Sequence, residues 1–251
     1  MSPLLELRGV SKRFGGVHAV DKVSFSIAPG ELVGLIGPNG AGKTTAFNLV
    51  SGVHPLSGGE VFFLGERISG SSPTRIARRG IARTFQNIRL FRSLTVFEHV
   101  LVAQTCHASS MLAQFSPFAS RAELERRRQA METLAAVGLA QRHDELAVHL
   151  PYGGQRRLEI ARALATAPKL LLLDEPAAGL NDTETEELRV MLDALRLRGY
   201  TILLVEHDMQ LVMRLCSRIL VLNFGKLIAS GTPAEVRADR DVVDAYLGVE
   251  S

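Results

Sequence analysis

The strongest limit on how this chain can fold comes from one short motif, Gly37-Pro38-Asn39-Gly40-Ala41-Gly42-Lys43-Thr44. It fits the pattern G-x-x-x-x-G-K-[ST], a loop whose backbone N–H groups surround a phosphate. Such a loop lies between a buried strand and a helix, because the helix N-terminus points its positive dipole end at the same anion. The mostly apolar run Glu31–Ile36 precedes the motif, and the helix-competent stretch Thr44–Val50 follows it. The sequence therefore predicts a strand, a phosphate-binding loop and a helix, in that order.

The residue types of this motif suit particular contacts with a nucleotide. Glycines let the backbone approach a phosphate where side chains would collide. Lys43 is expected to reach the β- and γ-phosphates, and the Thr44 hydroxyl is expected to coordinate Mg²⁺. On the motif alone, a glycine-rich turn with an exposed lysine is the alternative. The residues predicted to hold ATP here are Gly37, Pro38, Asn39, Gly40, Ala41, Gly42, Lys43, Thr44 and Thr45.

Two acidic residues, Asp174 and Glu175, follow the apolar run Leu170–Leu173. The leucines predict a buried strand, and open α/β sheets place ligands at the C-terminal ends of their strands. Asp174 is suited to hold Mg²⁺, and Glu175 is suited to accept a proton from the attacking water. An acidic pair after a strand is more often a helix N-cap, but a P-loop in the same chain favours the catalytic interpretation.

Two further polar residues follow predicted strands. His207 comes two residues after the run Thr201–Val205 and is placed to hydrogen-bond the γ-phosphate. Gln86 follows the strand-like Ile81–Phe85 and is placed to touch both Mg²⁺ and the attacking water. Neither residue would indicate a site by itself, because surface histidines and glutamines are common. Together with Glu175 and Lys43 they form the predicted catalytic set.

The remaining sequence predicts one α/β domain over residues 1–251, with an inserted helical subdomain at about 94–165. Strand, helix and strand alternate between Leu170 and Val205, which is the βαβ pattern of a mainly parallel sheet. In contrast, Ala122–Val137 spaces its apolar residues as an amphipathic helix does.

Composition excludes several classes of protein. The 46% apolar content is ordinary for a globular chain, and no stretch supplies the ~20 apolar residues of a membrane-spanning helix. Met1–Glu6 has neither the basic region nor the apolar core of a secretion signal, so the chain is expected to stay in the cytoplasm. A formal charge of +3, from 29 basic and 26 acidic residues, gives no indication of nucleic-acid binding. The arginine run Arg126–Arg128 lies among glutamates and is predicted to form a solvated helix face.

A further segment of the sequence resembles a motif of a known protein family. Leu150–Arg157, followed by Leu158–Leu164, resembles the signature motif of ABC-type ATPases. The P-loop, Gln86, the signature, Asp174-Glu175 and His207 stand in that family's order along essentially the whole chain. The resemblance implies a P-loop NTPase fold of the ABC-ATPase type, α/β in class. Its mainly parallel central sheet would carry an N-terminal antiparallel β layer and an inserted helical subdomain.

The resemblance also implies roles that the residues alone do not. Phe14 would stack on adenine, and Ala178–Asn181 would be the D-loop that links two nucleotide sites. The chain departs from the common pattern at Asn181, where aspartate is usual, and at Tyr152 within the signature. ATP would lie between the P-loop of one subunit and the signature of another. The signature residues implied in that contact are Tyr152, Gly153, Gly154 and Gln155.

The signature of this chain is similar to that of the ATP-binding subunits of branched-chain amino acid importers, as are Asn87–Phe91 and Asp244–Gly248. That similarity implies an ATP-hydrolysing subunit, bound peripherally to the cytoplasmic face of the inner membrane. Its partners would be integral-membrane permease subunits, a second ATPase subunit and, indirectly, a substrate-binding protein.

Two alternatives belong to other classes. A soluble ABC-type ATPase acting on DNA or the ribosome would usually carry long coiled coils, two ATPase halves or strongly basic arms, and the sequence has none of them. A small-molecule P-loop kinase would have no need for the Tyr152–Arg157 motif.

Overall fold

The computed structural model describes residues 2–85, 88–105 and 119–247, and their strands lie in two sheets. In chain order the strands are β1 (Leu5–Phe14), β2 (Val17–Ile27), β3 (Leu32–Ile36), β4 (Gly58–Phe63), β5 (Glu66–Arg67), β6 (Ile81–Arg83), β7 (Leu170–Asp174), β8 (Thr201–Val205), β9 (Arg218–Asn223) and β10 (Lys226–Gly231). The smaller sheet has the order β2-β1-β4-β5 and is antiparallel. This is the antiparallel layer that the family resemblance implies.

The larger sheet has the order β10-β9-β3-β8-β7-β6. Every neighbouring pair in it is parallel except β10 with β9. All residues of β3, β7 and β8 are buried, which is why these strands read as continuous apolar runs rather than alternating ones. The predicted mainly parallel sheet is confirmed. The strand β9, which extends the sheet beside β3, was not predicted.

Helices pack on both faces of the larger sheet or lie beyond its edges. Within the described ranges they are α1 (Lys43–Val50), α2 (Pro73–Arg78), α3 (Val96–Gln104), α4 (Ala119–Ala136), α5 (Tyr152–Leu164), α6 (Asp182–Leu197), α7 (Met209–Leu215), α8 (Pro233–Ala238) and α9 (Arg240–Leu247). The helix predicted from the amphipathic pattern is α4, and the one predicted after the P-loop is α1. None of the helices in these ranges is both long and apolar enough to cross a membrane.

Between β6 and β7, the described residues contain the helices α3, α4 and α5, as a helical insertion predicts. Thr95 begins α3 with a capping box, since its hydroxyl accepts from Glu98 N–H and the Glu98 carboxylate accepts from Thr95 N–H. The apolar faces of α3, α4 and α5 share one core that includes Leu134 and Leu158. The boundaries of the subdomain at about 94–165 stay a prediction.

The arginine run on α4 is paired along its own helix. Arg126 and Arg127 contact Glu123, and Arg128 contacts both Glu125 and Glu132. These ion pairs agree with a solvated helix face, as the sequence predicted.

We expect Leu158→Ala to lower the free energy of unfolding by about 2–5 kcal/mol, because the removed atoms leave a cavity among packed helices. Leu158 is fully buried, whereas Leu197, at the end of α6, is 72% exposed and serves as the control. Denaturant unfolding of Leu158→Ala and Leu197→Ala would measure the difference. Equal effects of the two changes would contradict the packing described for α5.

Candidate nucleotide site

The P-loop leaves the C-terminal end of β3 in a conformation that needs glycine at two positions. Gly37 has φ 148°, and a Cβ there would lie 2.1 Å from the carbonyl oxygen of Leu222. Gly42, the N-cap of α1, has φ 102°, and a Cβ there would lie 2.3 Å from the carbonyl oxygen of Ala19. Close backbone approach therefore fixes both glycines before any ligand is considered.

Lys43 is directed inward at this loop. Only 6% of the residue is exposed, and its Nζ donates to the carbonyl oxygens of Gly37 at 2.6 Å and Pro38 at 2.9 Å. Burial lowers the pKa of Lys43 below its ordinary value, and the nearby carboxylate of Glu175 opposes that shift. The alternative of a turn with an exposed lysine is wrong.

The other P-loop residues differ in exposure. Asn39 and Gly40 are exposed, and Pro38 is half-buried. Ala41 is buried, with its carbonyl oxygen accepting from Gly225 N–H at 3.0 Å. At the start of α1, Thr44 is exposed and Thr45 is half-buried.

Asp174 ends β7 and is held by an arginine that the sequence analysis did not identify. Arg83, the last residue of β6, donates from Nη2 to Asp174 Oδ2 at 2.8 Å. Its Nη1 donates to Asn48 Oδ1 at 2.6 Å and to Ser51 Oγ at 3.1 Å, both at the end of the P-loop helix. One buried guanidinium therefore joins β6, β7 and α1. The signal that could have found it is a charged residue in a strand that is otherwise apolar.

Glu175 and His207 meet at the carboxyl edge of the sheet. His207 Nε2 lies 2.5 Å from Glu175 Oε1, although the two residues follow different strands. Glu175 has φ 48°, and its N–H donates to the carbonyl oxygen of Val205 at 2.9 Å. The carboxylate predicted to act as base and the histidine predicted to touch the γ-phosphate are thus neighbours.

Glu206, directly before His207, is a second residue that the sequence analysis missed. Its buried carboxylate accepts from Ala177 N–H at 2.6 Å, from His207 N–H at 3.0 Å and from Asp208 N–H. Burial raises the pKa of Glu206 and the Glu175 carboxylate adds to the rise, while the three N–H groups oppose it. Glu206 thereby ties the turn after Glu175 to the loop that carries His207.

The signature residues lie at the N-terminus of α5. Tyr152 is its first residue and is 43% exposed, while Gly153 and Gly154 are buried. Gly153 N–H donates to Glu184 Oε1 at 3.2 Å, and Gln155 Nε2 donates to the carbonyl oxygen of Leu150 at 2.9 Å. A Cβ at position 153 would lie 2.7 Å from the same Glu184 oxygen, so a larger residue there would require the Glu184 side chain to move.

Asn181, the departure at the D-loop, has a structural role. Its side chain caps α6 by accepting from Glu184 N–H at 2.9 Å, and Glu184 Oε2 accepts from Asn181 N–H at 3.1 Å. Glu184 thus joins the D-loop to the signature turn. An amide serves this cap as well as a carboxylate does.

Phe14, the residue implied to stack on adenine, lies at the end of β1 and is 46% exposed. His54 meets its ring edge-on at a centroid distance of 5.4 Å, and Lys12 Nζ lies 4.9 Å from the ring centroid. Gln86, the remaining predicted site residue, lies outside the described residues.

ATP and Mg²⁺ fit the donor set at this edge. The P-loop forms a backbone cradle that leaves no room for a Cβ at Gly37 or Gly42, and its buried ammonium donates to the loop carbonyls of Gly37 and Pro38. Thr44 and Asp174 offer the hard oxygen donors that Mg²⁺ takes when phosphates and waters complete its shell. Within the described ranges, no group of three His, Cys, Asp or Glu residues gathers to hold a metal without such help.

Comparison with known proteins decides the family. A family model described as ABC transporter matches residues 20–178, more than half of the chain. This chain belongs to the ABC transporter family. As a cassette of that family, it is an ATPase. A second model, described as branched-chain amino acid ATP-binding cassette transporter, matches residues 226–251 of the cassette.

Individual similar proteins support the assignment of this chain to the ABC transporter family. The high-affinity branched-chain amino acid transport ATP-binding protein LivG of Escherichia coli (strain K12) is 47% identical over 252 residues, and the match covers 98% of each chain. The ADP conformation of MJ1267, an ATP-binding cassette of an ABC transporter, superimposes with a TM-score of 0.87 at 31% identity, covering 99% of this chain and 100% of that one. A dimeric post-hydrolysis structure of the cassette MJ0796, bound to ADP and Pi, gives 0.76 at 26% identity, covering 91% and 98%.

We expect Arg83→Met to lower the free energy of unfolding of the nucleotide-free cassette by about 3–5 kcal/mol, because it leaves the buried Asp174 carboxylate without its counter-charge. Denaturant unfolding measures the loss. The control is Arg142→Met, which breaks an exposed ion pair with Glu145 and should change stability much less. A similar small effect for both variants would show that Arg83 does not compensate Asp174.

Proposed function

We propose that this cassette is the ATP-hydrolysing subunit of an importer for branched-chain or other hydrophobic amino acids. The observation that carries the proposal is the likeness to LivG along nearly the whole length of both chains. The match of residues 226–251 to the branched-chain amino acid model supports it independently, because that segment lies outside the ATP-binding family match. The cassette would act on the cytoplasmic face of the inner membrane.

Two copies of the cassette, or one copy and a similar ATPase subunit, would enclose ATP between them. Phe14 and residues 37–45 would hold it on one side, and Tyr152 to Gln155 of the opposing subunit on the other. Thr44, Asp174 and Gln86 would hold Mg²⁺, which supplies charge neutralisation on the phosphates. The dimeric form of the related MJ0796 cassette supports an arrangement of two copies.

For hydrolysis, we propose separate roles for four side chains: Glu175, His207 and Lys43, whose contacts support the proposal, and Gln86. The Glu175 carboxylate would accept a proton from the attacking water, and His207, 2.5 Å from it, would orient that carboxylate and meet the γ-phosphate. Lys43 would exchange its bonds to loop carbonyls for bonds to phosphate oxygens, as a cation already within the cradle can do. Gln86 would position the water.

We expect Glu175→Gln to bind Mg-ATP nearly as tightly as the parent but to turn it over at least about 100-fold more slowly, the usual contribution of a positioned base. The shape of the side chain is kept while its proton affinity is lost. Steady-state phosphate release and nucleotide titration measure the two properties, and size-exclusion chromatography with ATP should show accumulated dimers.

Glu66→Gln changes an exposed carboxylate on β5, in the smaller antiparallel sheet, and is the matched control. Turnover of Glu175→Gln within a few-fold of the parent would remove Glu175 as the general base. Loss of ATP binding in that variant would contradict the same assignment, because the amide is nearly the same size as the carboxylate.

A groove between β6 and the helical region supports a docking site for the permease. It has a volume of about 650 Å³ and is mostly apolar where it is lined by β6, α2, α3 and α5. Its charged members include three arginines and one glutamate. Lining residues are Val53, Ile76, Ala77, Ile81, Phe85, Phe91, Val102, Ala103 and Ala163, with Arg78, Arg83, Arg162 and Glu159 among them.

The apolar residues after Gln86 divide between core and surface. Val96 is fully buried, and Leu90 and Phe97 pack against the core, so these three residues belong to the interior. Phe91 is exposed and lines the groove, and Arg89 and Arg92 beside it are exposed. An apolar groove lined by arginines, with two more exposed arginines next to Phe91 in the chain, fits a permease segment that carries apolar and acidic residues.

We expect Arg89→Glu with Arg92→Glu to abolish co-purification with the permease and uptake in cells, because the exposed charge beside Phe91 changes sign. ATP affinity of the isolated subunit should stay within about twofold, because P-loop contacts depend on groups elsewhere. Arg237→Glu with Arg240→Glu, on helices at the opposite edge of the large sheet, makes the same charge change and should assemble normally. Normal assembly of the first double variant would place the docking surface elsewhere.

A further inference from the structure

A group of basic side chains surrounds a pocket at the end of the larger sheet opposite to the nucleotide. This basic pocket has a volume of about 440 Å³ and lies between the ends of α2, α3 and α5 and one face of α4. Its place follows from the sheet, because Gly80 and Lys169 directly precede the parallel neighbours β6 and β7, whereas Asp174 ends β7. None of the described residues that line the pocket is acidic. Its basic and amide side chains are Arg78, Arg79, Gln104, Arg126, Gln129 and Lys169.

Backbone contacts hold Lys169 beside the end of α2. Lys169 N–H donates to the carbonyl oxygen of Gly80 at 2.8 Å, and a Cβ at Gly80 would lie 3.4 Å from Lys169 Cγ. Gly80 has φ 103°, in the region that favours glycine, and its N–H donates to the carbonyl oxygen of Ala77 at 2.9 Å. The residue that starts β6 thus fixes the separation of Lys169 from Arg78 and Arg79.

Two of the four cations in the basic pocket have no counter-charge. Arg79 Nη1 lies 3.1 Å from a carboxylate oxygen of Glu66, and Arg126 pairs with a glutamate of its own helix. The side chains of Arg78 and Lys169 form neither an ion pair nor a hydrogen bond with any residue that the structure describes. Uncompensated charges of one sign around a cleft give it a positive potential, which favours an anion there.

Two polar groups on the helical wall of the pocket also lack partners. Gln104 Nε2 donates to the carbonyl oxygen of Arg126 at 3.1 Å, which joins α3 to α4. Gln104 Oε1, an acceptor, and Arg126 Nε, a donor, are buried and form no hydrogen bond with the described residues. Buried polar atoms are almost always satisfied, so a polar ligand, directly or through water, suits this wall.

The basic pocket is continuous with two larger spaces. It shares Gln104, Gln129 and Lys169 with an adjoining cavity of about 820 Å³, whose other walls include the apolar Leu164. It also shares Arg78 with the groove proposed for the permease. A ligand can therefore place an anionic group among the cations and extend a larger part into the adjoining cavity.

We propose that the basic pocket binds a phosphate group, carried either by a free phosphate compound or by the headgroup of an anionic phospholipid. Arg78 would supply paired N–H donors and Lys169 an ammonium, both in charge-assisted hydrogen bonds. A headgroup can reach the pocket because it adjoins the groove proposed for a membrane partner. The site is separate from the P-loop, since the two lie at opposite ends of the parallel strands.

The test is a calorimetric titration of inorganic pyrophosphate into the full chain with saturating Mg-ADP, which occupies the P-loop. Arg78→Gln with Lys169→Gln should weaken binding at least about 10-fold, the scale of one lost hydrogen bond to a charged group. Both residues are exposed, so the fold should persist. Arg237→Gln with Arg240→Gln removes the same charge at the opposite edge of the sheet and should keep the affinity within about twofold, because salt screens distant charges.

Co-sedimentation with vesicles distinguishes the two sources of phosphate. If a headgroup is the ligand, vesicles of phosphatidylcholine and phosphatidylglycerol in equal amounts should bind the parent but not Arg78→Gln with Lys169→Gln, and pure phosphatidylcholine should bind neither. Loss of pyrophosphate binding in that variant, without vesicle binding by the parent, would assign the pocket to a free phosphate compound. The proposal would be overturned if the parent bound neither probe, or if the two double variants behaved alike toward both. Neither measurement depends on ATP hydrolysis or transport.

Discussion

The parallel pairing of β3 with β8 and of β8 with β7 is the constraint on which the rest of the structure depends. Parallel neighbours end at the same edge of a sheet, so the P-loop, Asp174-Glu175 and Glu206-His207 leave the sheet side by side although they are far apart in the chain. The neighbouring carboxylate and imidazole of Glu175 and His207 follow directly from that geometry. Any shift of register between β7 and β8 would separate them.

Buried charge is the second organising feature of this edge. Arg83 with Asp174, Glu206 with three backbone N–H groups, and Arg156 with Glu159 each place a charged group where an unpaired one would be costly. The first two of these contacts also join separate chain segments at the nucleotide edge: Arg83 joins β6 to β7, and Glu206 joins the turn after Glu175 to the loop of His207. The contacts that compensate buried charges therefore also fix the positions of the chain segments that they join.

The groove and the nucleotide edge share some of these groups. Arg83 lines the groove and bonds to Asp174, while Glu159 lines it and bonds to the backbone of Arg89. A partner seated in the groove would thus contact Arg83, which is one hydrogen bond from Asp174. Under the proposed function, that short distance would be a physical basis for linking ATP turnover to movement of a permease.

The sequence by itself determined the P-loop, the three buried strands around it and the acidic pair, because each depends on local spacing and apolar runs. It also determined that Gly37 and Lys43 belong to one cradle. Only the tertiary structure decided which buried charges meet, since Arg83 has no local mark that selects Asp174, and Glu206 none that selects Ala177 N–H. It likewise decided that Tyr152 bonds inward to Arg156 and that β9 lies beside β3. Such pairings depend on which strands and helices become neighbours, a property of the whole chain that no short pattern encodes.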